Sequence, residues 1–324
     1  MFFTDDSDRA RAAAGLAADG ARRPAAALSP ADRALWEGLT GGRDVWISAR
    51  APAWAEAFYS RVVVVDQARG SQFDTLRDLL GRGLELPGPV ACLAVAGDGF
   101  HGHRGRSWAA APGNLHLCVA LRPGVAAAGL APALTMLPAV AVVDAVASAS
   151  GGALAPGIKW VNDILLAGRK VAGVLTATAI EGDRLEHVVF GIGLNVAVAP
   201  AVAPTPFVPA VGCLREVRGG DHLELAGMAR AVLEALADRC RTVLAGGPAS
   251  LFAAYRSASL VLGRKVCIWA EGLDETADPR RWPPPLAAGR VDEIGPDLTL
   301  RLTERVEPVT TGRLAFAEAC PFLA

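Results

Sequence analysis

The sequence has little net charge, few histidines and no closely spaced pair of cysteines. Its formal net charge is -1 over 324 residues, which gives no electrostatic footprint for general nucleic-acid binding. None of the six cysteines is spaced as CxxC, and several lie in apolar runs, where cysteine behaves as a small buried hydrophobe. We therefore expect reduced thiols and a cytoplasmic protein. Since the opening MFFTDDSDRA is acidic after two phenylalanines, we expect no secretory signal peptide.

Apolar residues are plentiful, at 52% against 20% charged residues, so the chain can bury a sizeable core. The longest apolar stretch, 125–149, is interrupted by Pro132, Pro138 and Asp144. This pattern favours a core helix over a membrane span, and we expect no membrane partner.

The order of elements predicts an α+β protein with three parts. Residues 1–60 are expected to form a loosely attached leader and a helical segment of unknown role. Residues 61–250 mix apolar strands with amphipathic helices, and residues 258–324 contain only short strands separated by turns, as in a small β-barrel. The predicted strands and helices of the larger part are, in order, 61–66, 73–80, 91–96, 114–122, 131–149, 185–194 and 221–244.

Charged and amide side chains are concentrated in one apolar stretch, PGIKWVNDILLAGRKVAGVLTATAI at 156–180. Ala167 and Gly168 predict a tight turn between two strands. The resulting hairpin carries Asn162 and Asp163 at one end and Lys170 just after the turn. Because unpaired polar groups are costly among apolar neighbours, these residues either pair with one another, as a structural ion pair, or face a ligand.

A glycine-rich loop, GDGFHGHRGRSW at 97–108, follows the second predicted strand. Its backbone N–H groups and arginines suit an anion such as phosphate, and a flexible loop can close as a lid. A solvated surface loop is the alternative interpretation. His101 and His103 form an HxH pair, but no third metal ligand is evident among five histidines, so the pattern gives little support to a metal site.

These motifs resemble those of biotin protein ligases, within the biotin/lipoate protein ligase family. The hairpin KWVNDILLAGRKVAGVL resembles their KWPND and KxxGIL elements, HGHRGRSW resembles their glycine- and arginine-rich loop, and GIGLNV resembles the end of a family strand. The likeness runs from about Arg61 to the end of the chain. It implies an α+β fold with a mixed or antiparallel sheet, similar to the catalytic domain of class II aminoacyl-tRNA synthetases, and a small C-terminal SH3-like β-barrel.

The resemblance also implies an enzyme that uses ATP and Mg²⁺ to activate biotin as biotinyl-5′-AMP and transfers it to a lysine of a biotin carboxyl carrier domain. Catalytic roles are implied for Lys170, Asp163 and Arg106. Binding roles are implied for a wider set of residues, with no metal ligand assigned: Ser71, Gln72, His101, Gly102, His103, Arg104, Gly105, Trp108, Lys159, Asn162, Gly173, Gly193 and Asn195.

The sequence departs from the family pattern at the substrate-contacting segments. The loop has Phe100, His101 and His103 where the family has glycine and arginines, and the biotin-contacting stretch is reduced to 71–73, Ser-Gln-Phe. A related ligase or transferase for lipoate, octanoate or another acid therefore stays an alternative, as does a non-catalytic ligand-binding homologue. Residues 1–60 lack the winged-helix pattern of some members, so we expect no operator binding. The pattern leaves monomer and homodimer open.

Overall fold

The structure is a computed structural model that describes residues 1–5, 7–15, 20–48, 55, 58–273, 278, 281–303 and 305–320. Its strands are β1 (Phe2–Thr4), β2 (Gly20–Arg23), β3 (Val45–Ser48), β4 (Arg61–Ala68), β5 (Val90–Gly97), β6 (Leu115–Leu121), β7 (Val125–Ala126), β8 (Gly157–Lys159), β9 (Asp163–Leu166), β10 (Arg169–Glu181), β11 (Arg184–Leu194), β12 (Lys265–Trp269), β13 (Ala287–Ile294), β14 (Leu300–Leu302) and β15 (Arg313–Phe316). Its helices are α1 (Asp8–Ala14), α2 (Pro30–Thr40), α3 (Gln72–Gly81), α4 (Ala131–Ala149), α5 (Leu225–Gly246) and α6 (Ala249–Ala258).

The described strands up to β11 form one mixed sheet in the order β2-β3-β1-β4-β5-β6-β11-β10-β9-β8, with β7 paired to the far end of β11. The β1–β4 and β4–β5 pairs are parallel. The following pairs in the sheet, β5–β6, β6–β11, β11–β10, β10–β9 and β9–β8, are antiparallel. The predicted α+β class with a mixed sheet is confirmed.

Both faces of the sheet are covered in its middle, which explains the continuous apolar run of β4. Val62 and Val64 lie on the face covered by α1 and α5, while Val63 and Val65 belong to the core on the opposite face with residues of α2 and α3. Strands covered on both sides lose the polar alternation of a half-exposed strand. The cavity described below lies on the second face, beyond α3.

Helix α4 is long and apolar enough to cross a membrane by length and composition, but most of it is buried within the protein. Its residues Leu134, Leu137 and Val140 belong to the main core together with residues of α5 and α6. The prediction of a core helix is therefore confirmed.

The prediction that residues 1–60 begin with a loosely attached leader is wrong for the described residues. Strand β1 lies between β3 and β4, with Phe2 aligned to Val62 and Phe3 to Val63. Phe2 and Phe3 are fully buried on opposite faces of the sheet. The strand was not predicted because it is only three residues long and is followed by acidic and alanine-rich sequence.

The predicted short strands of the C-terminal part form a four-stranded antiparallel sheet in the order β14-β13-β12-β15. It contacts the main sheet at β8, where Leu260 N donates to Ile158 O at 2.8 Å. The indole N–H of Trp160 also donates to Leu298 O at 2.8 Å. Strand β15 lies beside the charged hairpin, since Lys159 Nζ is 5.9 Å from the centre of the Phe316 ring.

The expectation that all cysteines are reduced is also wrong. Cys267 of β12 and Cys320 form a disulfide, next to an aromatic cluster of Phe207, Trp269 and Trp282. The two cysteines are 53 residues apart, so no short spacing in the sequence indicates the pairing. Cys92, Cys118, Cys213 and Cys240 are free and buried, as their apolar surroundings predict.

Candidate active site

A cavity of about 470 Å³ lies between the main sheet, the 97–108 loop and strand β15. All the predicted site residues line it except Arg104 and Gly105. The predicted residues that the structure brings together here are Ser71, Gln72, His101, Gly102, His103, Arg106, Trp108, Lys159, Asn162, Asp163, Lys170, Gly173, Gly193 and Asn195. Segments separated by more than a hundred residues in sequence therefore meet at one place.

Strand register aligns the centre of this site in a single row across five strands. Lys159 of β8 pairs with Asp163 of β9, and Asp163 pairs with Gly173 of β10. Gly173 pairs with Gly193 of β11, and Gly193 pairs with His116 of β6. Paired residues on neighbouring strands point to the same face, so the row places charged groups at one end, two glycines in the middle and an imidazole at the other end.

The charged end is built around the carboxylate of Asp163. Its Oδ1 lies 2.6 Å from Lys170 Nζ, and each side chain is 21% exposed. Burial acts to raise the pKa of Asp163, but the charges of Lys170, Lys159 and Arg106 outweigh it and lower that pKa below 3.8. Asp163 is thus an anion that holds several cations at the cavity wall.

Lys159 is more deeply buried than Lys170, with 4% of its surface exposed. Its ammonium donates to the carbonyl of Phe207. Burial is the largest cause that lowers the pKa of Lys159 to about 8; the cations Lys170, Arg313 and Arg106 act in the same direction, and Asp163 opposes them. The hydrogen-bond partner of Lys159 is therefore a backbone carbonyl, and the binding role implied for it stays a prediction.

The two glycines of the row make room for the indole of Trp108. A Cβ on Gly193 would lie 2.4 Å from the Trp108 ring, and a Cβ on Gly173 would lie 3.4 Å from that ring and 3.5 Å from Lys170 Nζ. Lys170 Nζ is also 5.8 Å from the centre of the ring, within cation–π range. A side chain at Gly193 is therefore incompatible with the present position of Trp108.

The 97–108 loop folds as a tight hairpin. Trp108 N donates to Phe100 O at 2.9 Å, Gly102 N donates to Arg106 O at 2.6 Å, and His101 forms an isolated bridge with Ser107. The turn at its tip uses positive φ angles at Arg104 (56°) and Gly105 (75°), the region that favours glycine. Its predicted movement as a lid stays a prediction.

Two carboxylates hold this hairpin over the cavity. His101 Nε2 lies 2.5 Å from Asp74 Oδ2 on α3, and a hydrogen bond to Gly102, with that to Asp74, raises the pKa of His101. On the other side, Glu271 Oε2 lies 3.5 Å from Arg104 Nε and 3.7 Å from His103 Nε2. Burial lowers the pKa of His103. The two histidines thus face different partners.

The binding roles that the resemblance implies for Arg104 and Gly105 stay predictions. The Arg104 side chain is 56% exposed and is paired with Glu271, and neither Arg104 nor Gly105 lines the cavity. Both residues lie at the tip of the loop, where the chain reverses. Arg106 is the loop arginine that lines the cavity.

Several predicted binding residues are engaged with the protein itself. The Asn162 amide donates to Val174 O at 2.8 Å, and the Asn195 amide donates to Gly212 O at 3.0 Å. Ser71 Oγ caps α3 by accepting from Asp74 N. In the orientation that its neighbours require, the buried Gln72 amide bridges β5 and β6, between Ala94 N and His116 O. Ligand contacts by these residues stay predictions.

Among the charged and imidazole side chains of the cavity wall, the sequence interpretation missed three: His116, Glu271 and Arg313. Arg313 of β15 is 8% exposed, its guanidinium lies 3.9 Å from the centre of the Phe207 ring, and burial together with the nearby Arg106 lowers its pKa to about 10. Glu271 and Arg313 belong to no motif, and only tertiary contact brings them here. His116 could have been found from the alternation of NLHLCVALR, which places it on the same face as Cys118.

No group of three or more histidine, cysteine, aspartate or glutamate side chains that could hold a metal occurs among the described residues. His101 and His103, the HxH pair of the loop, are engaged with different carboxylates. The geometry therefore adds no support for a metal site at His101 and His103.

Comparison with known proteins relates these features to a family. The biotin/lipoate A/B protein ligase family matches residues 82–195, which include the loop, the hairpin and β11. Over 210 residues the chain is 34% identical to a biotin--[acetyl-CoA-carboxylase] ligase of Mycobacterium tuberculosis, covering 61% of this chain and 72% of that one. This chain belongs to the biotin/lipoate protein ligase family. The resemblance inferred from its motifs is confirmed.

Other relatives match over a shorter region. A biotin--[acetyl-CoA-carboxylase] ligase of Paracoccus denitrificans is 42% identical over 132 residues, or 39% of this chain and 55% of that one. The chain spans about half the length of several such relatives. A biotin protein ligase from Aquifex aeolicus, solved in complex with biotin and ATP, has the same fold, with a TM-score of 0.60 at 18% identity over 80% of this chain and 99% of that one.

Proposed function

We propose that this protein is an ATP-dependent ligase that activates biotin as biotinyl-5′-AMP and transfers the biotinyl group to a lysine of a biotin carboxyl carrier domain. The observation that carries the proposal is the row across the sheet: its charged end has Lys159 and Asp163, with Lys170 paired to Asp163, and its middle has Gly173 and Gly193. The family relatives named for biotin attachment support the choice of acid.

In the first step, an oxygen of the biotin carboxylate attacks the α-phosphorus of ATP, and the bond to pyrophosphate breaks. Negative charge accumulates on the α-phosphoryl oxygens during this exchange. Lys170, held by Asp163 at 2.6 Å, and Arg106 on the loop supply fixed positive charge at the same end of the cavity. Preorganised cations of this kind stabilise the transition state more than the ground state.

In the second step, the neutral amine of the carrier lysine attacks the acyl carbon, the bond to AMP breaks, and the proton released from the nitrogen passes to the phosphate of the departing AMP or to solvent. Asp163, for which the resemblance implies a catalytic role, is a poor acceptor for this proton. Its lowered pKa and its pairing with Lys170 make it a weak base near neutral pH, because a good general base has a pKa close to the working pH. Asp163 is better suited to orient Lys170 and to accept a hydrogen bond from the incoming amine.

Mg²⁺ is expected to enter with ATP. The described residues offer no cluster of three carboxylate, histidine or cysteine ligands, and Asp163 is already paired with Lys170. This donor set fits Mg²⁺ only as an ion carried mainly by phosphate oxygens and water, as is common for magnesium. The protein itself then interacts with the phosphates through the positive charges of Lys170 and Arg106.

Several finer assignments complete the proposal. The larger part, expected over residues 61–250, is a catalytic domain similar to those of class II aminoacyl-tRNA synthetases, and residues 258–324 form an SH3-like β-barrel, of which the four antiparallel strands are the supporting observation. The protein works in the cytoplasm as a monomer or homodimer, and its net charge of -1 supports the absence of a nucleic-acid partner.

Pyrophosphate exchange into ATP tests the proposal, with biotin, lipoate and octanoate supplied in turn. Exchange that depends on biotin alone supports the biotin ligase. Exchange with another acid supports an acyl-adenylate enzyme of different specificity, and no exchange with any acid supports a non-catalytic homologue. A transfer assay with a biotin carboxyl carrier domain then tests the second step separately.

One observation favours a different acid as the second candidate. Phe73 packs on Gly191, where a Cβ would lie 3.1 Å from its ring, and Phe100 packs on Gly97, where a Cβ would lie 2.7 Å from its ring. Both aromatic residues line the cavity at positions where the sequence departs from the family pattern. They narrow the end of the cavity that is remote from Lys170.

A further inference from the structure

His116 is a cavity residue to which neither the motifs nor the family resemblance gives a role. It lies on β6, is 3% exposed and lines the cavity. Its Nε2 lies 3.1 Å from the carbonyl of Ala111. Because a carbonyl only accepts, Nε2 carries the proton in this arrangement and Nδ1 presents its lone pair.

The Nδ1 atom of His116 is buried and has no hydrogen-bond partner among the described residues. Burial lowers the pKa of His116 to about 4, so the ring is neutral near pH 7 and Nδ1 is an acceptor. A buried acceptor without a partner costs about 1–3 kcal/mol. Such an atom at a ligand cavity points to a donor that arrives with the ligand.

The position of His116 in the row sets what that ligand must span. Three strand-to-strand steps separate it from Asp163, through Gly193 and Gly173, which corresponds to about 14 Å at the usual strand spacing. The two glycines between the ends carry no side chains of their own, and the indole of Trp108 packs over them. An elongated acid with its carboxylate near Lys170 therefore directs its opposite end toward His116.

Trp108 adds a second, complementary group at the same floor. Its indole Nε1 is buried without a hydrogen-bond partner among the described residues and lies 2.8 Å from the position of a Cβ on Gly193. Gly193 is the row neighbour of His116. An unpartnered acceptor and an unpartnered donor thus occur on adjacent positions, which a purely hydrocarbon ligand would leave unsatisfied.

We propose that His116 is a specificity-determining residue, whose Nδ1 accepts a hydrogen bond from an N–H group in the head of the acid. This inference rests on the proposed function and deepens it. It assigns the discrimination between a ureido acid such as biotin and acids without an N–H donor, such as lipoate and octanoate, to one side chain of β6. A site built to pair a substrate N–H rejects analogues that lack it, because the buried acceptor is then left alone.

Two substitutions distinguish the role of Nδ1 as an acceptor from the contact of Nε2 with Ala111 O. In His116→Gln the side-chain amide still reaches Ala111 O but offers no acceptor at the Nδ1 position. In His116→Asn the amide oxygen replaces Nδ1, and the contact with Ala111 is lost. His187→Gln is the matched control, since the buried Nδ1 of His187 also lacks a hydrogen-bond partner among the described residues but His187 is not part of the cavity wall.

Binding of biotin and of octanoate to the full chain is measured by titration calorimetry. We expect His116→Gln to raise the Kd for biotin by about tenfold or more, the size of one lost hydrogen bond with its desolvation, and to leave the Kd for octanoate within about twofold. His116→Asn should retain most of the biotin affinity, and His187→Gln should change neither Kd.

A ligand-side experiment keeps the test independent of folding defects in the variants. Biotin methylated on its ureido nitrogens should bind the unaltered protein about tenfold more weakly than biotin does. The methylated ligand should have the same Kd for the unaltered protein and for His116→Gln. Equal biotin affinity in the unaltered protein and His116→Gln, or parallel losses for biotin and octanoate, would overturn the role of His116 while biotin-dependent pyrophosphate exchange persists. Absence of exchange with every acid would instead overturn the proposed function, and this inference with it.

Discussion

Removing the Asp163 carboxylate should destabilise the fold more than removing the Lys170 ammonium. Asp163→Asn leaves Lys170, Lys159 and Arg106 at the cavity wall without their shared counter-charge. Lys170→Met leaves Asp163 with Lys159 as its row neighbour. We expect the larger loss of stability from Asp163→Asn because three cations surround this one anion.

The size of the effect follows from the distance and burial of the pair. At 2.6 Å and an effective dielectric constant of about 20, the attraction between Asp163 and Lys170 is about 6 kcal/mol before desolvation is subtracted. Breaking a largely buried pair from one side typically costs about 3–5 kcal/mol, which we expect for Asp163→Asn. For Lys170→Met we expect about 1–3 kcal/mol, the range of a hydrogen bond to a charged group.

Urea unfolding of the two single variants and the double variant measures these terms as a cycle. We expect a coupling energy of about 1–3 kcal/mol. The exposed helical pair Arg230–Glu234, 59% and 40% exposed, is the control, and Glu234→Gln should cost less than about 0.5 kcal/mol. A coupling below about 0.5 kcal/mol, or a larger loss from Lys170→Met than from Asp163→Asn, would refute the reasoning.

The same pair has a defined pH dependence. Because the folded-state pKa of Asp163 is lowered from 3.8, its contribution is present above the unfolded value and is lost as pH falls through the lower folded value. The stability difference between the unaltered protein and Asp163→Asn should therefore keep its full size between about pH 5 and pH 7. It should shrink below pH 3.8, and also as pH rises through about 8, where Lys159 loses its charge.

Three further predictions concern the floor, the loop and the C-terminal sheet. Gly193→Ala should displace the indole whose ring lies 2.4 Å from the added Cβ, changing tryptophan fluorescence and costing about 1–3 kcal/mol, whereas Gly81→Ala, which meets open space, should be neutral or stabilising. The raised pKa of His101 means that its bond to Asp74 contributes fully below pH 6.5 and is lost as pH rises through the folded value; the protection of the loop amides relative to their intrinsic exchange rates should therefore be greater at pH 6 than at pH 8, on the order of a few-fold, and Asp74→Asn should remove this difference in protection. The C-terminal disulfide closes 53 residues, so its reduction should lower the unfolding free energy by about 4 kcal/mol, and thiol titration in denaturant should find four free cysteines before reduction.

Local patterns predicted most of the secondary structure of the larger part. The predicted 131–149 helix is α4, and the predicted hairpin is β9 and β10, because apolar runs, turn residues and caps act over a few residues. Helix α6 and the three N-terminal strands were missed, since β1 is defined by its pairing with β3 and β4 and not by its own composition.

The site residues also divide into those predicted from local sequence and those placed by tertiary contacts. Lys170, Asp163 and Gly173 were predicted because one hairpin carries them in a fixed order. Glu271 and Arg313 could not be predicted, because they come from the C-terminal sheet and reach the cavity only through tertiary packing. The place of Arg104 at the exposed turn tip could not be predicted either, because its positive φ is not visible in the loop's composition.

The central claim is that Lys170 and Asp163 serve attack of a carboxylate on the α-phosphorus of ATP. The most direct measurement supplies biotin labelled with heavy oxygen in its carboxylate, together with ATP and a carrier domain, and determines the label in the AMP released. Attack through the carboxylate leaves one labelled oxygen on AMP after transfer, and we predict that outcome for the unaltered protein and its loss with Lys170→Ala. Carrier biotinylation with unlabelled AMP, or label transfer undiminished by Lys170→Ala, would contradict the account.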